Sequence, residues 1–319
     1  MAKMDVLSRV YNINKPKGIT SHDVVSKMRK ILKTKKVGHT GTLDPDATGV
    51  LPICVGRATK VSNLILEKNK EYICEMMIGI ETDTYDVSGN VLSKTDTSMI
   101  SIEGVENAIK TQIGDIDQYP PIYSALKING RKMCDLVREG RADEIVLKPR
   151  RIKIFSIDIM DHQRINYQEN ECILVKIRVF CSKGTYIRSI CHDVGEILKT
   201  GATMYSLIRT KSGIFNIEDS ISLEELESMA NEDKLESKSY TIEEVLSEFD
   251  DIILNENAVK YYSNGGRIGQ NRFRTKKTIK KDMLVRTYSP RGEFIGVGKI
   301  IEGEGGLFVK SEKIFNQNN

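Results

Sequence analysis

No stretch of this 319-residue chain stays apolar for the roughly 18 to 20 residues that cross a bilayer. The opening residues, MAKMDVLSRVYNINK, hold no apolar core of secretory length, so a cytosolic protein away from membranes is expected. Six cysteines, at 54, 74, 134, 172, 181 and 191, make no C-x-x-C pair and no Cys/His set at zinc-finger spacing. That pattern speaks against a structural metal site and against a disulfide framework, and leaves reduced core thiols. No G-x-x-x-x-G-K-[ST] occurs, and no G-x-G-x-x-G follows a strand-like run, so no nucleotide cofactor is expected. Long internal repeats and low-complexity tracts are also missing.

What is present is charge of uneven placement. Net charge is only +4, but residues 1–60 carry 12 Lys/Arg against 4 Asp/Glu, and residues 257–319 carry 13 against 5. Residues 218–256 carry 2 against 14. Two basic ends around an acidic segment suggest two surfaces for a polyanion; solvated faces without a partner would give the same count. With 39% apolar residues the chain can bury one large domain and a small one, or two of medium size.

Periodicity outlines the elements. TSHDVVSKMRKILK, 20–33, predicts an amphipathic helix capped by Thr20 or Ser21, with a lysine-rich exit at 33–36. His22 and Asp23 at its start read as capping or dipole chemistry. KEYICEMMIGI, 70–80, alternates as a strand with Tyr72, Cys74, Met76, Ile78 and Ile80 on one face. Residues 101–113 predict a helix capped by Ser101, and 119–151, rich in Lys/Arg, predict an exposed basic excursion. Residues 171–200 predict a strand to 181, a turn at Ser182–Gly184, and a helix capped by Thr185 with Tyr186 and Arg188 in its first turn. Residues 222–249 predict two acidic helices. From 251 on, short apolar runs broken by glycine predict a small β domain, with GEGG at 303–306 as a hairpin turn. Cys191, His192 and Asp193 resemble a nucleophile set only as text, because helical neighbours point about 100° apart.

One stretch resists this reading. VGHTGTLDPDATGVLPICVG, 37–56, matches neither a helix face nor a long strand. It sets Asp44 and Asp46 around Pro45 inside a frame of glycines and threonines. A tight turn whose Asp44 binds nearby backbone N–H groups would explain it. Thr40, Thr42 and Thr48 already supply local hydroxyls, however, and no other acid in the chain sits in so constrained a loop.

GHTGTLDPDATGVLPICVGRATK, 38–60, resembles the catalytic signature of the TruB family of tRNA pseudouridine synthases. NKPKGITSHDVV at 14–25, KEY at 70–72, IYSALKINGRKMCDLVREG at 122–140, CSKGTYIRSI at 181–190 and LIRTKSGIF at 207–215 are similar to its other motifs, in the same order. The resemblance spans about 10–215. It implies an enzyme that isomerises uridine to pseudouridine at position 55, in the T-loop of tRNA, after flipping the base. It also implies Asp44 as nucleophile, Arg188 as its ion-pair partner, and Tyr72 stacked on the base. His39, Tyr186, Leu207 and Lys183, with Lys15 and Thr40 of the same motifs, are implied around the substrate. No metal or other cofactor is implied. Ile208 is a departure, since many relatives carry a second arginine in the segment before RTKSG, so one phosphate or ion-pair contact is expected to be missing there.

The expected fold class is α+β. Residues 1–250 would form a catalytic domain around a mixed, largely antiparallel sheet, with 119–151 as an RNA-contacting insertion. Residues 251–319 are loosely similar to the PUA-like β-barrel of the family. The expected partner is the T-arm of tRNA, with the protein a monomer needing no protein partner. Two other readings are a guide-RNA-dependent synthase of the dyskerin type acting on ribosomal RNA, and an RNA-binding or chaperone protein without catalysis.

Overall fold

The strand Thr48–Val55 lies in the middle of the main sheet, where alternation gave no long strand. Residues 49–55 are all buried. A strand covered on both faces reads as one apolar run rather than an alternating one, which hides it from a period-2 search. The computed structural model describes residues 8–128 and 130–315.

Around that strand the ten-stranded sheet runs, in spatial order, Ser239–Thr241, Arg9–Lys15, Thr48–Val55, Ala202–Ser212, Lys70–Ile78, Asn170–Cys181, Arg150–Tyr167 and Gly114–Gln118. Val37–His39 and Phe215–Asn216 pair off this path. Every named pairing in it is antiparallel except that of Thr48–Val55 with Ala202–Ser212. The sheet is therefore mixed and largely antiparallel, and the α+β expectation holds. Helices Ser21–Ile31, Ile102–Lys110, Ile187–Leu198 and Leu223–Asn231 share one core with one face of the sheet. Val24, Val25 and Met28 of the first helix are buried there, each contributing roughly 1.5–3 kcal/mol.

Several local expectations change. The first helix is capped by Thr20 in a reciprocal box with Asp23. The later helix begins at Ile187, with Tyr186 at the N-cap and no side-chain cap of its own. Gln118 takes over, its Oε1 accepting from the Tyr186 N–H at 2.8 Å. Thr185 instead donates its hydroxyl to the Ser182 carbonyl. Of the two acidic helices, only Leu223–Asn231 is long; the second is the single turn Ile242–Val245, because Ser239–Thr241 joins the sheet edge beside Arg9–Tyr11. The 119–151 excursion is mostly exposed, but Met133 and Leu136 of its short helix are buried, and Arg150 and Arg151 already belong to the sheet.

The second sheet has six strands, ordered Arg267–Gly269, Gly306–Ile314, Phe294–Gly303, Leu284–Tyr288, Asp250–Leu254, Phe273–Arg274. Its two end strands are joined through only Gln270–Arg272, so the sheet curls into a nearly closed barrel. A helix, Glu256–Ser263, which the β pattern did not foreshadow, buries Ala258 and Tyr262 inside it. Val297 and Phe315 of this barrel share an apolar cluster with Val10, Val50, Ala58 and Ile65 of the main sheet region. The barrel is thus packed onto the first unit rather than tethered to it.

Candidate active site

The Asp44 loop is pinned by its backbone. The Ser21 hydroxyl accepts from the Leu43 N–H at 2.8 Å and donates to the Leu43 carbonyl at 3.1 Å. The Pro45 carbonyl accepts from Lys15 Nζ and from the Gly18 N–H, both at 2.9 Å. Arg209 Nε donates to the Val50 carbonyl at 2.7 Å, and its other nitrogens reach the Thr42 and Gly41 carbonyls at 3.5 and 3.3 Å. Leu43 and Ala47 bury their side chains on either side. Gly49 is required where the loop enters its strand: φ is +100°, and a Cβ there would lie 2.3 Å from the Arg209 carbonyl oxygen.

Held this way, Asp44 meets Arg188. Arg188 Nε lies 3.0 Å from Asp44 Oδ2, and Nη2 donates to Oδ1 at 3.2 Å. Both oxygens are engaged by one planar fork, the geometry that arginine supplies and lysine does not. The Arg188 side chain is 6% exposed, that of Asp44 36%. The guanidinium also donates to the Thr84 and Tyr123 carbonyls at 3.0 Å each, and Nη1 lies 3.3 Å from Asp86 Oδ2. Burial pushes the Asp44 carboxyl above its ordinary value and nearby Asp86 adds to that, while Arg188 and Lys15 pull it back down.

A cleft of about 650 Å³ opens over this pair. Asp44, Arg188 and Asp86 line it, with Tyr123 and Arg138 from the excursion and Tyr205 to Ile208 from the strand Ala202–Ser212. Thr48 pairs with Ile208, and the loop at Asp86 bridges to Met204. The strand edge between those two bridges therefore faces the cleft beside Asp44. An ion-paired carboxylate, partly exposed at the floor of an open groove, has the setting of a reacting group rather than of a turn cap.

Residues 29–187 match the TruB family pseudouridylate synthase N-terminal domain, and 188–254 match the tRNA pseudouridylate synthase B C-terminal domain. The chain is 53% identical over 309 residues to tRNA pseudouridine synthase B of Clostridioides difficile (strain 630), covering 97% of this chain and 100% of that one. The chain belongs to the TruB family of pseudouridylate synthases. It is also 43% identical to tRNA pseudouridine synthase B of Clostridium perfringens (strain 13 / Type A), over 92% of this chain and 95% of that one. Among solved structures it is similar to a chain of an H/ACA RNP bound to a substrate RNA containing 2′-deoxyuridine, with TM-score 0.74 and 26% identity, covering 99% and 87% of the two chains. A Cbf5–Nop10–Gar1 complex gives TM-score 0.73 at 28% identity, covering 98% and 86%.

The TruB-family motifs do not all converge on the cleft. Asp44, Arg188 and Leu207 line it. Tyr72 is 8% exposed in the sheet, paired in register with Arg209. Burial pushes its phenol pKa up, and the Arg209 guanidinium beside it opposes that. Tyr186 sits against Ser124, a residue of the cleft wall. Lys15 and Thr40, expected around the substrate, are not among the residues that line the cleft. Lys15 is fully buried with Nζ on the Pro16, Ile19 and Pro45 carbonyls, and Thr40 donates its hydroxyl to the Pro52 carbonyl. Both hold the loop from behind. His39 and Lys183 are not among the lining residues; Lys183 pairs with Glu67, and burial lowers the His39 pKa.

Two residues that contact this pair or its loop were not singled out in the sequence. Asp86 stands in TDTYDVSGN, which reads as an ordinary polar turn, and its Oδ1 does accept from Thr84 and Ser88 as a turn residue would. Its second oxygen lies 3.3 Å from Arg188 Nη1, and no local signal marks that. Arg209 lay inside the quoted LIRTKSGIF motif. Its place, almost wholly buried, depends on the strand pairing that sets it beside Gly49 and on its side-chain bond to the Val50 carbonyl, 159 positions away.

Proposed function

We propose that the protein isomerises uridine to pseudouridine in tRNA, at position 55 of the T-loop, and that it does so alone as a cytoplasmic monomer. The observation that carries this reading is the Asp44 carboxylate, gripped through both oxygens by Arg188 at the floor of an open cleft of about 650 Å³. The reaction breaks the C1′–N1 bond and makes a C1′–C5 bond; C5 loses a proton and N1 gains one, so no electrons are exchanged with a co-reactant. Asp44 supplies an oxygen for attack at C1′ or for removal of the C2′ proton. Either role needs the carboxylate form, a fixed approach and a basic oxygen. The raised pKa supplies the last of these.

A uridine inside a folded loop reaches this depth only after leaving its stack, so the base is flipped into the cleft. Tyr72 underlies the base, a neutral phenol kept so by burial. Leu207 and Tyr186 border it. Residues 1–250 act as the catalytic unit, and 251–319 as the RNA-binding barrel, its Lys/Arg excess meeting phosphates. The 53% identity to a tRNA pseudouridine synthase B favours tRNA over guide-directed ribosomal RNA.

Incubating pure protein with a bare tRNA transcript tritiated at uracil C5, then mapping the product, tests the reading. The wild type is expected to release tritium and leave pseudouridine at position 55 without guide RNA or protein partner. Asp44→Asn is expected to bind the transcript and release none. Turnover by Asp44→Asn refutes the nucleophile, and a guide requirement refutes the stand-alone tRNA reading.

A further inference from the structure

Tyr205 is the extra residue where Ala202–Ser212 slips against Lys70–Ile78. Met204 pairs with Met76 and Ser206 with Glu75, and Tyr205 is skipped. A bulge residue is unpaired and its side chain is re-aimed. The slip lets Met204 and Leu207 both face the core although they stand three positions apart. It leaves Tyr205 and Ser206 together on the opposite side. Ser206 is taken up there, donating its hydroxyl to Glu75 Oε2 at 2.7 Å. Tyr205 is not: it lines the cleft and stays 40% exposed. Tyr167 meets its ring at 88°, centroids 6.3 Å apart, which orients the ring without covering it. Ile208, 38% exposed, continues the apolar wall.

This wall therefore offers flat and apolar surface beside the Asp44–Arg188 pair. Uracil is one six-membered ring, and a cleft of about 650 Å³ encloses ligands far larger. Exposed aromatic rings along a groove for unpaired RNA are platforms for base faces. Resting on the reading that the cleft takes RNA, we infer that Tyr205 stacks on a nucleobase of the substrate other than the uridine being isomerised. It is a positioning residue for the RNA and stays clear of the reacting atoms.

The test uses the full chain, a tRNA transcript, and the variants Tyr205→Ala, Tyr205→Phe and Tyr167→Ala. Loss of one stacked base predicts Tyr205→Ala to raise Kd and KM about tenfold with saturated kcat within about twofold. Tyr205→Phe, which keeps the ring, is expected to restore wild-type KM. Tyr167→Ala is expected to leave KM within about twofold. Unchanged Kd and KM in Tyr205→Ala overturns the inference, as does failure of phenylalanine to rescue. A KM rise in Tyr167→Ala equal to that of Tyr205→Ala also overturns it, since Tyr205 would then act as a brace. A wild type that binds the transcript and forms no pseudouridine sinks the functional reading instead, and the Kd comparison still decides the role of Tyr205.

Discussion

Arg188 holds Asp44 side-on, Nε to Oδ2 at 3.0 Å and Nη2 to Oδ1 at 3.2 Å, and is itself held by the Thr84 and Tyr123 carbonyls. The carboxylate's aim is thus fixed by a guanidinium that cannot turn. Arg188→Lys keeps the charge and loses the fork. Saturated kcat on tRNA is expected to fall about 100-fold, with Kd for the transcript nearly unchanged. A loss confined to Kd would make Arg188 an RNA contact instead.

Asp86 and Asp44 share Arg188, so their charges repel. Asp44 is raised by burial first and by Asp86 second, against Arg188 and Lys15. Activity needs the ionised carboxylate, so it is present above the Asp44 pKa and lost as pH falls through it. That acid limb should lie above the ordinary carboxylate range. Asp86→Asn removes one raising influence, and the limb of kcat is expected to move to lower pH. A limb that stays put or rises in a kcat–pH profile would show that Asp86 acts through the turn alone.

Arg209 is a buried cation that donates to three backbone carbonyls of the Asp44 loop and its strand and lies beside Tyr72. Arg209→Met leaves those carbonyls without a donor. Urea unfolding is expected to show a loss of about 3 kcal/mol. A loss well under 1 kcal/mol would mean that the loop stands without this anchor.

Gly49 and Gly18 make a matched pair. Both have positive φ, +100° and +85°, but a Cβ at Gly49 strikes the Arg209 carbonyl while one at Gly18 meets nothing within 4 Å. Gly18→Ala is expected to cost about 1 kcal/mol, from backbone conformation only. Gly49→Ala is expected to cost at least about 3 kcal/mol, since the strand pairing must also open. Equal thermal shifts for the two would rule out the close approach.

Much of the fold was legible. The capped helix after Thr20, the strand from Lys70, the strand–turn–helix around Ser182 and the β texture after 251 all show local periodicity and capping chemistry. What stayed hidden was the central strand Thr48–Val55, because burial on both faces erases alternation, and the helix Glu256–Ser263, set among β runs. In the site, the constrained acid and its arginine were legible. The inward turn of Lys15 and Thr40 was not, since a motif gives residue types and not the side of the loop they occupy.

The sequence by itself determined that one carboxylate stands in a stiff glycine–proline frame, and which family of motifs surrounds it, because turn chemistry and motif order are local. The motif resemblance implied Arg188, 144 positions away, as partner of that carboxylate; tertiary structure alone decided the side-on geometry of the pair, that Asp86 shares the guanidinium, and that Tyr205 is turned out into the cleft. The reason is sheet pairing and register: strands distant in sequence set which side chains converge, and one bulge changes the face a residue presents.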